Sequence, residues 1–388
     1  MRIALFSGNY NYIKEGANQA LNHLVRYLEA ERGASVRVYS PVTDTPAFDP
    51  AGTLVPVPSV ALPMRGEFRF ALGLPPRIRR DVEAFAPDLV HVSSPDLLGT
   101  RAQSLAKRLG VPVVASLHTR FETYLGHYGL GWARSALEAH LRRFYRRSDH
   151  VLAPTRAIAD ELRSLRGDDR VTLWSRGVDR ALFDPARRDE AWRLQYGIAP
   201  DEIAVLFFGR LVLEKGVDDY VAAVRELQAR GQRVRPLIVG AGPANERFRA
   251  LQGPILTGHL QDAPLARAVA SADILLNPSR SEAFGNVVLE AMASGLAIVS
   301  ADAPSARELI VDGKSGQLCR DDYAAAVESL IGAPDRRRSL GREARRASEN
   351  YSWAAASGSA ARAYDEVLTE AALAVRRQPG QAAASGPH

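Results

Sequence analysis

Two glutamates, Glu282 and Glu290, stand eight residues apart in a segment whose character changes between them. Ahead of them, Ile274-Leu275-Leu276 is a short apolar run of the kind that forms a buried strand, and Pro278-Ser279 breaks it. From Asn286 onward Val287, Val288, Leu289, Ala291, Met292 and Ala293 suit a helix, which Gly295 stops. The helix start therefore follows Glu282 closely, and Glu290 falls on its second turn. Free backbone N–H groups at such a start, reinforced by the helix dipole, attract phosphate. If every step between the two carboxylates were helical, they would lie about 12 Å apart along the axis. That separation is too long for two carboxylates that flank one glycosidic bond. It suits the two ends of an elongated ligand with a phosphate cradle between them, and a nucleoside diphosphate sugar has that shape.

Two cations are placed to serve the same ligand. Arg210 follows the apolar run Ala204 to Phe208 directly after Gly209, and Lys215 follows five residues later. A nucleotide leaving group gathers negative charge as the glycosidic bond breaks, and fixed cations stabilise that charge when they are already in place. Arg grips phosphate as a fork and Lys acts as a mobile point charge. The plain alternative is a pair of solvated loop cations. His118 follows the run Val113 to Leu117, the position at which an α/β sheet places ligands, although a lone histidine is more often structural. The chain contains no Asp-x-Asp, which a metal-dependent transferase would use to hold a divalent ion on a diphosphate.

The elements that must position these groups alternate. Arg2 to Ser7, Val36-Val38, Leu54-Val57, Leu89-Val92, Val113-Leu117, Val151-Leu152 and Val171-Trp174 read as buried strands. Helical stretches lie between several of them, including 17–31, 100–109 and 158–165. The pattern restarts after a polar stretch near 179–200 that reads as a linker, with strands at 204–208, 236–239, 255–256, 274–276 and 297–299. Alternation of this kind predicts two doubly wound parallel sheets. The boundaries read as 1–185, 186–352, a helix over 353–376 and a small, polar, disordered tail over 377–388.

Several of these residues together carry a resemblance. Glu282 and Glu290 after a strand, Gly209-Arg210-Leu211 with Glu214-Lys215-Gly216, Val239-Gly240-Ala241-Gly242-Pro243, and Glu308 with Gly313 and Gly316 resemble the family 4 retaining glycosyltransferases. The first half matches through Gly16 and Leu117-His118-Thr119. The resemblance implies the GT-B fold, in which two Rossmann-like domains face a cleft and the last helix crosses back to the first domain. It implies that Glu290 takes the ribose hydroxyls, Glu282 the donor sugar, and Arg210 and Lys215 the diphosphate. Gly209, Ala283, Phe284, Gly285 and Asn286 would line the phosphate cradle, Gly240 one wall of the base pocket, and His118 the reacting end of the sugar. Gly16 would let the backbone approach the donor, although the family's adjacent second glycine is Ala17 here. Retention of anomeric configuration follows from the resemblance alone, with no carboxylate pair for double displacement and no metal or other cofactor expected.

For the acceptor, 132–147 reads as a helix with Leu137, Leu141, Phe144 and Tyr145 on one side and Arg142, Arg143, Arg146 and Arg147 on the other. A second apolar-plus-basic patch runs over 68–80, from Phe68 through Phe70, Leu72 and Leu74 to Arg77, Arg79 and Arg80. Such segments suit an anionic membrane surface. The bland alternative is that the apolar sides pack inward and the arginines are wet. Together with His118-Thr119-Arg120-Phe121 and Tyr128-Gly129-Leu130-Gly131, they look similar to lipid-directed mannosyl-, glucosyl- and sulfoquinovosyl-transferases. A glycolipid product is the first expectation, with GDP-mannose ahead of UDP-glucose as donor. Polysaccharide-directed transfer and nucleotide-sugar epimerisation are the rival reactions, and a non-catalytic membrane or nucleic-acid binder is the rival of another class.

Composition narrows the setting. A chain of 388 residues with 46% hydrophobic and 24% charged content is long enough for two core-bearing soluble domains. The single cysteine, Cys319, excludes an intramolecular disulfide framework and fits a reducing compartment. Met1-Arg2-Ile3 leads into a strand rather than a signal peptide, and no apolar run is long enough to span a bilayer. The expected location is the cytoplasm, peripheral at the inner face of the membrane. A net charge of +6 favours anionic partners without choosing among lipid, phosphorylated substrate and nucleic acid. The site motifs then point away from nucleic acid.

Overall fold

The computed structural model describes residues 1–13, 15–62, 65–119 and 131–376. The expectations for Arg120-Phe121, for Tyr128-Gly129-Leu130 and for the tail 377–388 lie outside the described residues, whereas Phe68 is described and half-buried. The described residues divide into two units. One comprises 1–119, 132–175 and 353–376, and the other is Arg176–Ser352 with Gly131.

In the first unit the chain runs β1 (Arg2–Phe6), α1 (Gly16–Arg32), β2 (Ser35–Ser40), β3 (Thr53–Pro56), β4 (Ser59–Leu62), β5 (Arg65–Ala71), α2 (Pro76–Phe85), β6 (Leu89–Val92), α3 (Leu97–Leu109), β7 (Val113–Ser116), α4 (Arg134–Arg146), β8 (His150–Ala153), α5 (Arg156–Arg166) and β9 (Val171–Leu173). Seven strands form a parallel sheet in the order β3-β2-β1-β6-β7-β8-β9. Both faces of such a sheet are covered, so most of its strands read as apolar runs, with Arg37 in β2 and His91 in β6 as exceptions. β4 and β5 pair as an antiparallel hairpin, with Val60 opposite Phe70.

The second unit contains α6 (Glu190–Gln195), β10 (Ile203–Phe208), α7 (Val217–Ala229), β11 (Val234–Val239), α8 (Asn245–Phe248), β12 (Ile255–Leu256), α9 (Asp262–Ala270), β13 (Ile274–Asn277), α10 (Asn286–Ala293), β14 (Ala297–Ala301), α11 (Pro304–Leu309), β15 (Gln317–Cys319), α12 (Tyr323–Ile331) and α13 (Pro334–Ser348). Its parallel sheet has the order β12-β11-β10-β13-β14-β15. Apolar clusters cover both faces of the sheet. The border between the units falls at Ser175 and Arg176 rather than at 185. The polar stretch 179–200 is not a linker either. Val178, Phe183, Trp192 and Ile198 are buried in the second unit's core, and Asp189 caps α6 by accepting from Trp192 N.

The last helix, α14 (Trp353–Arg376), belongs to the first unit. Its Ala356, Ala360, Ala361, Ala363, Tyr364 and Val367 join the apolar cluster that includes α1 and the sheet. Trp353 stacks on His23 of α1 with ring centroids 4.1 Å apart. The alanine content follows from this placement, since small side chains let two helices approach closely.

Candidate active site

In each sheet the strand order reverses at one point, between β1 and β6 in the first and between β10 and β13 in the second. Ligands of open α/β sheets bind at the carboxyl ends of strands beside such a reversal. The loops that leave β10 and β13 carry Gly209 to Gly216 and Pro278 to Gly285, so the second unit's candidate residues converge there.

These two loops are knit together. Ser281 Oγ donates to the carbonyl of Glu214 at 3.1 Å, and Lys215 Nζ donates to Glu282 Oε1 at 2.6 Å. Gly216 has φ +76°, and a Cβ there would stand 2.8 Å from the carbonyl carbon of Pro278. The loop after β11 lies against the same assembly. Gly209 N donates to Val239 O, Leu211 N to Ala241 O and Ala244 N to Leu211 O. Gly240 has φ +147°, and a Cβ on it would sit 1.9 Å from the carbonyl oxygen of Gly209. The requirement for glycine at 240 therefore has a packing cause that holds whether or not a base lies nearby.

α10 starts at Asn286 behind Gly285, which has no side chain to cap it. Gly209 faces the first turn of α10, with Val287 Cγ1 at van der Waals distance from where its Cβ would be. The segment that separates Glu282 from the helix is irregular, so the continuous helical spacing imagined between the two glutamates does not occur. Glu290 is half-buried on the second turn, Phe284 is a core residue whose ring edges Tyr351, and Ala283 is half-buried. Phe284 can thus offer a ligand its backbone but not its side chain. The Asn286 side-chain oxygen is buried without a hydrogen-bond partner.

Glu282 is the electrostatic centre of this cluster. Burial alone would push its pKa up, but the charge and hydrogen bond of Lys215, with the charge of Arg210, outweigh it and hold the carboxyl below the usual glutamate value. Lys215 and Glu282 are 21% and 15% exposed, so the pair is largely shielded from water. Lys215 was expected to meet a diphosphate and Glu282 a sugar. The structure joins them, leaving Lys215 further N–H groups for a ligand and fixing its direction.

In the first unit Gly16 opens α1. Glu15 caps that helix reciprocally with Asn18, so the carboxylate already takes an amide of the first turn. His118 follows β7, and its Nε2 lies 2.8 Å from Ser116 Oγ. The same hydroxyl lies 2.7 Å from His91 Nε2, and His91 Nδ1 lies 2.5 Å from the hydroxyl of Tyr364 on α14. His91 on β6 is fully buried, and burial lowers its pKa to about 3, so it is neutral. Trp174 edges both imidazoles. Reading Leu89-Val92 only as an apolar run missed this chain. A histidine inside a strand buried on both faces was the available signal, because a buried polar group requires partners.

The amphipathic segment 132–147 resolves in favour of packing on its apolar side. Leu141, Phe144 and Tyr145 are buried in the unit, while Arg142, Arg143 and Arg146 are exposed. Arg147 donates to Ser104 Oγ and Arg146 to Leu165 O. The apolar face is therefore not available to a bilayer. What remains exposed is a basic face, Trp132 at 83%, and on the hairpin side Val60, Phe70 and Leu72 with Arg77 and Arg80. No helix among the described residues is long and apolar enough to cross a membrane.

Residues 15–182 match the profile of Glycosyltransferase Family 4, and residues 202–333 that of the glycosyl transferases group 1. The chain is 31% identical over 370 residues to a sulfoquinovosyl transferase of Arabidopsis thaliana, covering 92% of this chain and 71% of that one. It is 34% identical over 374 residues to a GDP-mannose-dependent alpha-mannosyltransferase of Mycolicibacterium smegmatis, covering 91% and 94%. Its fold is similar to that of a sucrose-phosphate synthase from Thermosynechococcus elongatus, with a TM-score of 0.77 at 20% identity over 95% of this chain and 99% of that chain. With two parallel-sheet units of this topology, a charged loop pair at the second unit's switch point and these relatives, the chain belongs to glycosyltransferase family 4 and has the GT-B fold.

Proposed function

We propose that this glycosyltransferase moves a hexose from a nucleoside diphosphate sugar, GDP-mannose ahead of UDP-glucose, to a hydroxyl of a membrane lipid, with retention of configuration and without a divalent ion. The observation that carries the reading is the cluster of Arg210, Lys215 and Glu282 beside the uncapped start of α10. Arg210 and the first-turn amides of α10 meet the charge that grows on the departing phosphate. Glu282 holds Lys215 in register and presents its second oxygen to sugar hydroxyls, and Glu290 takes the ribose. With no carboxylate pair for a double displacement among the described residues, the acceptor approaches on the face the nucleotide leaves, and the departing phosphate takes its proton. The relative named for GDP-mannose supports the donor order. The exposed basic face of α4 with Trp132, and the Phe70–Arg80 region, support an acidic membrane surface as the place of work. The protein then acts at the cytoplasmic side.

The test is a panel of labelled nucleotide sugars offered with a lipid extract, with and without EDTA. Label is expected in the lipid fraction from GDP-mannose, as the α-anomer and at a rate EDTA does not change. Tighter competition by UDP than by GDP would reverse the donor order. Conversion of one nucleotide sugar into another without an acceptor would replace the reaction by epimerisation.

A further inference from the structure

The buried chain Tyr364–His91–Ser116–His118 has a direction, and the direction follows from counting protons. The three links measure 2.5, 2.7 and 2.8 Å, so each holds one hydrogen. His91 is neutral and carries one N–H, so one of its nitrogens donates and the other accepts. Ser116 has one proton and is fully buried between two imidazole nitrogens; if it accepted from both, its own proton would have no acceptor among the described residues, so it donates on one side and accepts on the other. The three links must therefore all point the same way. If they pointed toward α14, His118 Nε2–H would donate to Ser116, Ser116 to His91 Nε2, and His91 Nδ1–H to the Tyr364 oxygen. The Tyr364 proton would then have no acceptor among the described residues, inside a fully buried site. A buried donor left unmade is costly. Pointed the other way, Tyr364 donates to His91 Nδ1, His91 Nε2–H to Ser116, and Ser116 to His118 Nε2, and no donor in the chain is orphaned.

We infer that Tyr364, His91 and Ser116 are positioning residues that hold His118 as its Nδ1–H tautomer, so that the ring edge turned away from Ser116 is a hydrogen-bond donor. In free imidazole the Nε2–H form prevails, so the relay selects the minor form. Which ring nitrogen of a histidine carries the proton is set by the bond its other nitrogen makes. A donor is what a sugar oxygen requires of this histidine, and that consequence rests on the transferase reading, whereas the tautomer itself does not. The relay also starts on α14, so the helix that closes the chain takes part in setting the chemistry of a residue on β7's loop.

The experiment is two-bond ¹H–¹⁵N correlation spectroscopy on the full chain with labelled histidine, the His118 resonances being assigned with His118→Gln. Wild-type protein is expected to show the proton on Nδ1 of His118. Ser116→Ala, and independently Tyr364→Phe, should move His118 toward the Nε2–H form while the thermal transition persists. In transfer assays Ser116→Ala should lower kcat by about tenfold to hundredfold, the scale on which a histidine's orienting partner acts, with the donor KM unchanged. A wild-type His118 protonated at Nε2 overturns the inference, and so does an Nδ1–H tautomer that survives both substitutions. A Ser116→Ala enzyme with full kcat but a changed tautomer overturns the catalytic part. Absence of transfer by wild-type protein itself would strike the function and leave the tautomer result to be read on its own.

Discussion

Replacing Glu282 by Gln removes a charge while keeping the side chain's length and an acceptor oxygen. The carboxylate receives Lys215 Nζ at 2.6 Å, and both side chains are mostly out of water. A hydrogen bond to a charged group contributes about 1.5–3 kcal/mol, whereas exposed ion pairs give about 0–1 kcal/mol. Burial places this pair near the first range, and the oxygen that Gln retains takes the loss below its top. Glu282→Gln should therefore cost about 1–2 kcal/mol at pH 7. For a unit the size of Arg176–Ser352 that lowers Tm by about 2–8 °C. The sign of the pH dependence is fixed by the same contacts. Burial opposes ionisation, but Lys215 and Arg210 hold the folded pKa below the 4.5 of an ordinary glutamate. A group whose folded pKa is depressed stabilises fully above its unfolded value, and loses that contribution as pH falls through the folded one. The difference in Tm between wild type and Glu282→Gln should be level from pH 8 to about 5 and then shrink toward pH 3. Thermal unfolding across that range decides it. A difference that stays constant or widens in acid, or a variant as stable as wild type at neutral pH, would refute the account of the pair.

Arg210→Ala should lower turnover by about a hundredfold to a thousandfold with little change in melting; near-normal turnover would remove Arg210 from the leaving-group role. Lys215→Met leaves the Glu282 carboxylate to burial, so the acidic limb of the rate profile should move to higher pH, and an unmoved limb would show that Lys215 does not govern it. Gly240→Ala drives a Cβ to within 1.9 Å of the Gly209 oxygen and should cost about 2–4 kcal/mol, seen as a lower Tm, whereas unchanged melting would mean the loops do not pack as described. For the membrane, each cation near an anionic surface contributes about 1 kcal/mol. Arg142→Gln with Arg143→Gln should therefore weaken sedimentation with anionic vesicles by about thirtyfold. Equal pelleting of wild type with neutral and anionic vesicles would discard the basic face.

The sequence made the strands and most helices of both sheets legible for one reason. Strands covered on both faces are mostly apolar runs, and the helices between them show a different period. What it hid was contact across distance. Lys215 and Glu282 are 67 positions apart, and nothing local in either loop announces that one closes on the other. The stretch 179–200 looked like a linker because it is denser in charged residues than the chain as a whole. Yet its Phe183, Trp192 and Ile198 are buried in the second unit's core. The wheel of 132–147 showed both faces of α4 correctly, but a wheel does not say which face meets protein. Gly240 was visible as a glycine after a strand, and its reason, the oxygen of Gly209, belongs to another loop.

The pairing of Lys215 with Glu282 also reorders the cations. Their charges offset one another at 2.6 Å, so in the proposed function Arg210 and the start of α10 are the groups assigned to the ligand's negative charge. Lys215 has a different task. Without it the largest influence on Glu282 is burial, which favours the neutral acid. Lys215 keeps that carboxylate ionised and pointed, and Glu282 in return fixes an otherwise mobile ammonium. A chain with two cations in one motif can thus divide the work, one cation facing the ligand's charge and the other maintaining the residue beside it. That division is why loss of Arg210 should appear in turnover at every pH, while loss of Lys215 should appear first in how turnover depends on pH.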